Sequence, residues 1–295
     1  MYTGRHQRRV SPLSRALPYA ALAFALTTIA TQMAWVWADD RYLLTNVVVI
    51  SCALAAVFTL CARQGWLRGA VASIVIAFLG WLIEVIGVHS GWPFGRYIYL
   101  DVVGQNHLTG ATGHSVPMLA GVPLIVPLAW LMMTVPVYFT TQMIKASVAS
   151  RLLWAVIALV GWDFFLDPQF VAEGWWHWAD PSHHIRGLPG IPISNYLGWV
   201  LAATVLIGAT WLATSADADP RRGVRSPLAT IVPVIVYMWT WAGGIFSNLV
   251  FFDRPASALW GGVVMGWPVV ALLGSSWLQR HNRSGGALRD SRPWT

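Results

Sequence analysis

Charge is what this chain has least of. Only 11% of its 295 residues are Asp, Glu, Lys or Arg, while 56% are hydrophobic. An ordinary soluble domain carries about 25% charged residues, so composition alone excludes a soluble enzyme or a solvated linker protein. Cysteine is almost absent. The two present, Cys52 and Cys61, fall on one apolar run and stand about 13 Å apart if that run is helical, which excludes a disulfide framework. Nucleophile motifs, phosphate-cradling glycine loops and dinucleotide fingerprints are missing. No internal repeat stands out. The short histidine clusters that membrane di-iron oxygenases need are missing as well, since there is no HxxxH or HxxHH.

What is abundant is apolar length. Stretches able to cross about 30 Å of hydrocarbon run roughly over 16–37, 45–62, 68–88, 117–140, 150–167, 192–213, 228–250 and 258–278. The fifth is the shortest, because it contains two aspartates. With a cytoplasmic N-terminus, the inner segments hold Arg5, Arg8, Arg9, Arg15, Arg63 and Arg68, then Lys145, Arg151, Arg221, Arg222 and Arg225, and finally Arg280, Arg283, Arg289 and Arg292. The outer segments hold Arg41, Arg96, Arg186 and Arg254. That asymmetry obeys the positive-inside rule at every loop. The first run is too long for a signal peptide and lacks a good cleavage site. The expected architecture is all-α: a polytopic bundle of about eight transmembrane helices in the cell membrane, both termini cytoplasmic. Residues 16–279 form one transmembrane domain between basic tails 1–15 and 280–295. The pI near 9.9 then reflects anionic membrane lipid as a partner, and no nucleic acid.

Against that background three of the 12 acidic residues are anomalous. Glu84, Asp163 and Asp167 lie inside or at the end of apolar runs, where a carboxylate costs about 2.5–3.5 kcal/mol at a helix centre. The third and fifth spans run in the same direction, so all three acids fall near the outer end. Asp163 and Asp167, spaced i,i+4, share a helix face. The plain alternative is that such acids cap helices or pair with cations, and Asp167, directly before Pro168, suits a helix end best. Asn195 enters the sixth span about one turn in, either to orient a carboxylate or water or to make an interhelical hydrogen bond.

Two long outer loops, about 89–116 and 168–191, lie above these acids. They carry Trp92, Phe94, Tyr97 and Tyr99 in the first and Trp175, Trp176, His177 and Trp178 in the second. Interfacial belts account for most tryptophans, but less well for a Trp-Trp-His-Trp run beside two aspartates. The outer histidines His89, His107, His114, His177, His183 and His184 offer one adjacent pair, so no metal site is expected, a mixed His/Asp site being the lesser alternative. Close carboxylates in a dry layer can hold a general acid beside a general base, and tryptophan faces stabilise a nearby cation by about 2 kcal/mol or more when desolvated. These parts suit protonation of an isolated alkene and capture of the tertiary cation by water, on an isoprenoid too apolar to leave the membrane. They would equally suit a proton-coupled transporter of a small apolar or amphipathic solute.

Five segments carry a family likeness. They are Glu84-x-x-Gly87 with Gly91-Trp92-Pro93-Phe94-Gly95-x-Tyr97-x-Tyr99; Gly121-Val122-Pro123-Leu124-Ile125-x-Pro127-x-Ala129-Trp130; Trp162-Asp163-x-x-x-Asp167-Pro168; Trp176-x-Trp178; and Gly190-x-Pro192-x-Ser194-Asn195-Tyr196-x-Gly198-Trp199. In this order they resemble the carotenoid biosynthesis membrane proteins that act as carotenoid hydratases, over about residues 75–200. The resemblance implies addition of water across the terminal double bond of an acyclic ψ-end, giving a tertiary alcohol. Substrates would be γ-carotene or lycopene-type ends, or ends of C50 carotenoids such as bisanhydrobacterioruberin. It implies no redox cofactor, a carotenoid partner and contact with other enzymes of the pathway. On this reading Asp163 or Asp167 donates the proton, its partner with Glu84 and Asn195 positions water, and His177 relays protons. Trp92, Phe94, Tyr97, Trp176, Trp178 and Trp199 line the substrate site.

Overall fold

A computed structural model of the chain describes residues 12–106, 111–215 and 226–289. His107 and the arginines Arg5, Arg8, Arg9, Arg221, Arg222, Arg225 and Arg292 lie outside the described residues. The helices in chain order are α1 (Pro12–Trp35), α2 (Tyr42–Gln64), α3 (Trp66–Ser90), α4 (Val126–Thr141), α5 (Val148–Ala172), α6 (Ile193–Ser215), α7 (Pro227–Val250) and α8 (Pro255–Arg289). Seven are long and apolar enough to cross a membrane, and α4 is a shorter apolar helix of 16 residues. The protein is therefore an all-α, multi-pass membrane bundle. Large side chains such as Ile74, Leu197 and Val270 stay exposed on its flanks, as a lipid-facing surface requires.

Two spans differ from the expectation. The fourth does not begin at Pro117, because 117–125 turn back as a hairpin of β4 (Met118–Leu119) and β5 (Val122–Pro123). Ala120 and Gly121 adopt φ of 53° and 79° at its tip, a left-handed pair that no helix continues through. The helix starts only where Pro127 occupies its first turn. α4 is consequently the short one, and it packs against α2, α3, α5, α6 and α7. Nearly all of it is buried in protein, so its ends need not reach both lipid interfaces.

The fifth span, expected to be shortest, has 25 residues. Ser147 caps it by accepting from the Ser150 N–H at 3.2 Å, and the helix runs through Asp167 and Pro168 to Ala172. Asp167 is thus an interior helical residue and not a helix end. Along the same helix Gly161 lets α5 touch α8: an added Cβ would stand 2.4 Å from the Met265 backbone N. Small residues at such crossings bring membrane helices into backbone contact.

The loops after α3 and α5 are tied to each other over one end of the bundle. β1 (Tyr97–Tyr99) pairs antiparallel with β6 (Trp176–Trp178), with Tyr97 opposite Trp178 and Tyr99 opposite Trp176. A second hairpin, β2 (Val102–Asn106) with β3 (Ala111–Ser115), extends beside it. Polar contacts fasten this rim: Arg41 to Glu173 at 2.7 Å, His114 to Asp40 at 2.7 Å, and Arg254 to Gln169.

Candidate active site

Beneath the β1–β6 ribbon the structure brings the three anomalous acids together. Glu84, on the last turns of α3, is 7% exposed and receives three hydrogen bonds. Oε2 accepts from the phenols of Tyr97 and, at 2.8 Å, Tyr99. Oε1 accepts from the Trp130 indole at 2.9 Å. The two tyrosines sit two residues apart on β1 and so share one face of the strand, with Ile98 between them turned outward. Strand alternation alone therefore brings both phenols to one carboxylate. Burial first, and then the charge of Glu84, push both phenols well above their ordinary value. They therefore remain O–H donors across the physiological range.

The aspartates make a second unit. Asp163 is wholly buried and Asp167 is 3% exposed. The Asn195 amide, arriving from α6, bridges them: Nδ2 donates to Asp163 Oδ2 at 2.9 Å and to Asp167 Oδ2 at 2.5 Å. Asp163 Oδ1 and the neighbouring Tyr196 hydroxyl are buried without a hydrogen-bond partner. Two acids one helical turn apart, joined by one amide, form a polar unit whose charge state depends on both together.

A small cavity of about 60 Å³ connects these units. Glu84, Asp167 and Asn195 line it, whereas Asp163 stands behind Asp167 and outside the lining. The wall is aromatic. Trp176 stacks on Phe170 at 4.8 Å, Tyr99 meets Trp176 edge-on at 5.6 Å, and Trp130 lies 4.4 Å from Trp199. Trp178 is anchored by its indole, which donates to the Phe94 carbonyl at 3.0 Å. Phe94, Tyr97, Trp176, Trp178 and Trp199 all line the cavity, as the sequence suggested.

Two expected participants are elsewhere. His177 lies between the two inward tryptophans on β6 and is exposed, because strand alternation turns it to the opposite face. A proton relay through it has no geometric basis. Trp92 is 62% exposed and does not reach the cavity. Of the other histidines described, His114 pairs with Asp40, His183 contacts Ser182 and His184 contacts the Pro181 carbonyl. Among the described residues no three His, Cys, Asp or Glu side chains gather as a metal-binding group.

Phe170 is a cavity-lining residue that sequence reasoning passed over. It sits in an apolar helix, where an aromatic gives no signal of its own. Tyr99 and Trp130 were visible only as parts of motifs.

A multi-pass helical bundle that closes a ribbon of tyrosine and tryptophan over membrane-embedded carboxylates is one class of protein, a membrane enzyme or carrier for an apolar solute. Its family is more definite. The chain matches the carotenoid biosynthesis protein family over residues 44–268, most of its length, and belongs to that family. It is also similar to the bisanhydrobacterioruberin hydratase of Haloarcula japonica, with 29% identity over 159 residues. That stretch is 52% of this chain and 47% of the relative, so the match spans about half of each. No solved structure matches the chain.

Proposed function

We propose that the protein is a carotenoid hydratase, a hydro-lyase that adds water to the terminal C=C of an acyclic carotenoid end group. The observation that carries this reading is the Asp167–Asn195–Asp163 unit facing a cavity walled by tryptophan and tyrosine. Family membership and the name of the Haloarcula japonica relative support it. Asp167, the aspartate that lines the cavity, delivers its proton to the less substituted alkene carbon. The tertiary cation that results faces the rings of Trp176 and Trp178. Water held against Glu84 adds to the cation, and the proton it sheds returns to Asp167. The cycle is balanced: one C=C and one water become one tertiary alcohol, with no electrons gained or lost. Asp163 and Asn195 hold Asp167 in place and share its charge.

The loop-bearing end is assigned to the outer side of the cell membrane by the arginine asymmetry, with both termini cytoplasmic. The transporter reading has less support. Further along the helices from the cavity, Val135, Leu159 and Leu206 are fully buried, so apolar packing rather than a second opening lies below the acids.

The test is expression in a host that accumulates acyclic carotenoids, reading pigment mass for the gain of one water per end group. The wild type gains it, and Asp167→Asn lowers the yield by about 10²–10⁴-fold, the usual contribution of a positioned acid. Unchanged pigment mass with solute movement in liposomes would transfer the assignment to a carrier.

A further inference from the structure

The acid-lined cavity is sized for an end group and water. Sites for whole organic ligands occupy about 300–1,000 Å³, so at about 60 Å³ it leaves the body of a polyene without a place. The structure contains a second, larger chamber of about 470 Å³ beside it. Thr45 and Val49 of α2, Met132 of α4, and Leu166 and Phe170 of α5 line both spaces. One layer of side chains separates them. From there the chamber follows α1 and α7, and Val236 to Asn248 along α7 spans about 18 Å at helical rise.

Its lining is apolar and rich in rings, Trp35, Trp162, Phe165 and Trp239 among them. Among its polar lining residues Asn248 stands out. Asn248 is 3% exposed, and its Nδ2 donates to the Gly244 carbonyl at 2.9 Å while Oδ1 has no partner. A buried carbonyl oxygen left unpaired costs about 1–3 kcal/mol, and in a ligand chamber the expected remedy is a donor on the ligand. Polar neighbours at this end are paired within the protein: Trp239 Nε1 donates to Gln32 Oε1 at 2.7 Å and Ser247 Oγ donates to the Gly244 carbonyl at 3.3 Å.

We infer that the chamber between α1, α2, α5 and α7 holds the polyene body of the substrate, and that Asn248 Oδ1 accepts a hydrogen bond from a hydroxyl on that body. This rests on the hydratase reading for the nature of the chain, but not for its place. The site then selects a hydroxylated acyclic carotenoid over the bare hydrocarbon, with its unreacted end passing the Leu166–Phe170 wall to Asp167.

Gly243 supplies the perturbation. It lines the chamber, and a Cβ there meets nothing nearer than Trp239 Cε2 at 3.8 Å. Gly243→Phe therefore fills the chamber without displacing the backbone. Thr240→Phe, one turn away on the same lining, is a second way to fill it. The purified protein in detergent is loaded with lycopene or with its monohydroxylated derivative, and retained pigment and hydration are both read. The wild type retains both, the hydroxylated chain roughly three- to ten-fold better, as one hydrogen bond predicts. Either phenylalanine variant lowers retention of both by about ten-fold or more, and Asn248→Leu removes the preference while keeping lycopene.

Wild-type retention in both filled variants would overturn the chamber as the binding site. A preference that survives Asn248→Leu would overturn the role of Asn248. Failure of the hydratase reading looks different: pigment is retained and lost as described, yet the wild type leaves its mass unchanged.

Discussion

Replacing Glu84 separates a carboxylate that organises the site from one that is merely tolerated there. Three donors converge on it: two phenols on Oε2 and one indole on Oε1. In Glu84→Leu all three lose their acceptor. A buried donor left unpaired costs about 1–3 kcal/mol, so the gross penalty is about 3–9 kcal/mol. Tyr97 and Tyr99 line the cavity and can turn their hydroxyls toward water there, which brings the expected value to about 3–5 kcal/mol. Glu84→Gln behaves differently. Its amide oxygen takes the indole N–H, which cannot rotate, and its NH2 donates to the two phenol oxygens, whose hydrogens can turn away. The number of bonds is kept, charge assistance is lost, and the cost of burying a charge goes with it. These changes oppose each other, so the glutamine variant stays within about 1 kcal/mol of wild type. Unfolding in mixed micelles titrated with SDS measures both. A leucine variant as stable as wild type, or a glutamine variant as damaged as the leucine, would refute the argument that Glu84 pins β1 and α4 to α3.

Gly198→Ala places a Cβ 2.5 Å from Phe94 Cδ1 and 3.0 Å from the Pro93 carbonyl. Because Phe94 holds Trp178, the variant loses about 1–3 kcal/mol of stability along with hydration yield, measured by unfolding and pigment mass. His177→Ala, on the exposed face of β6, leaves hydration at the wild-type rate and stability within about 0.5 kcal/mol. A lost or shifted pH profile for hydration would restore it as a relay. The raised phenols give an alkaline signature: unfolded tyrosines ionise near pH 10 while Tyr97 and Tyr99 stay protonated. Stability is therefore full below pH 10 and falls as pH rises beyond it. Tyr99→Phe removes one such group and flattens the decline in melting experiments by up to about 1.4 kcal/mol per pH unit.

The sequence made the bundle legible because apolar length and arginine placement are long-range averages, insensitive to any one residue. Boundaries depend on single backbone angles. The fourth span looked continuous from Pro117 because Val122, Leu124 and Ile125 are as apolar as a helix requires. What ends the run is the left-handed pair Ala120–Gly121, and hydropathy does not register it. The fifth looked short because its aspartates suggested an end, whereas α5 shelters them against α6 and continues.

The site was legible to the same extent and for a related reason. Spacing put Asp163 and Asp167 on one face, and topology put Glu84 at their level, both of which the geometry bears out. Spacing cannot say which of two residues on a face points to a void and which to packed protein. Asp167 looked the more dispensable because Pro168 follows it, yet it lines the cavity while Asp163 lies behind. The decisive partner, Asn195, comes from 28 residues away in sequence, and its bridging amide links the two acids. An acid that faces the void is the one placed to touch an alkene. An acid held behind it, joined through an amide, can only alter the first one's charge. On the proposed hydratase reading that asymmetry makes Asp167 the donor and Asp163 its support, and it arises from how α5 meets α6 rather than from the order of residues within α5.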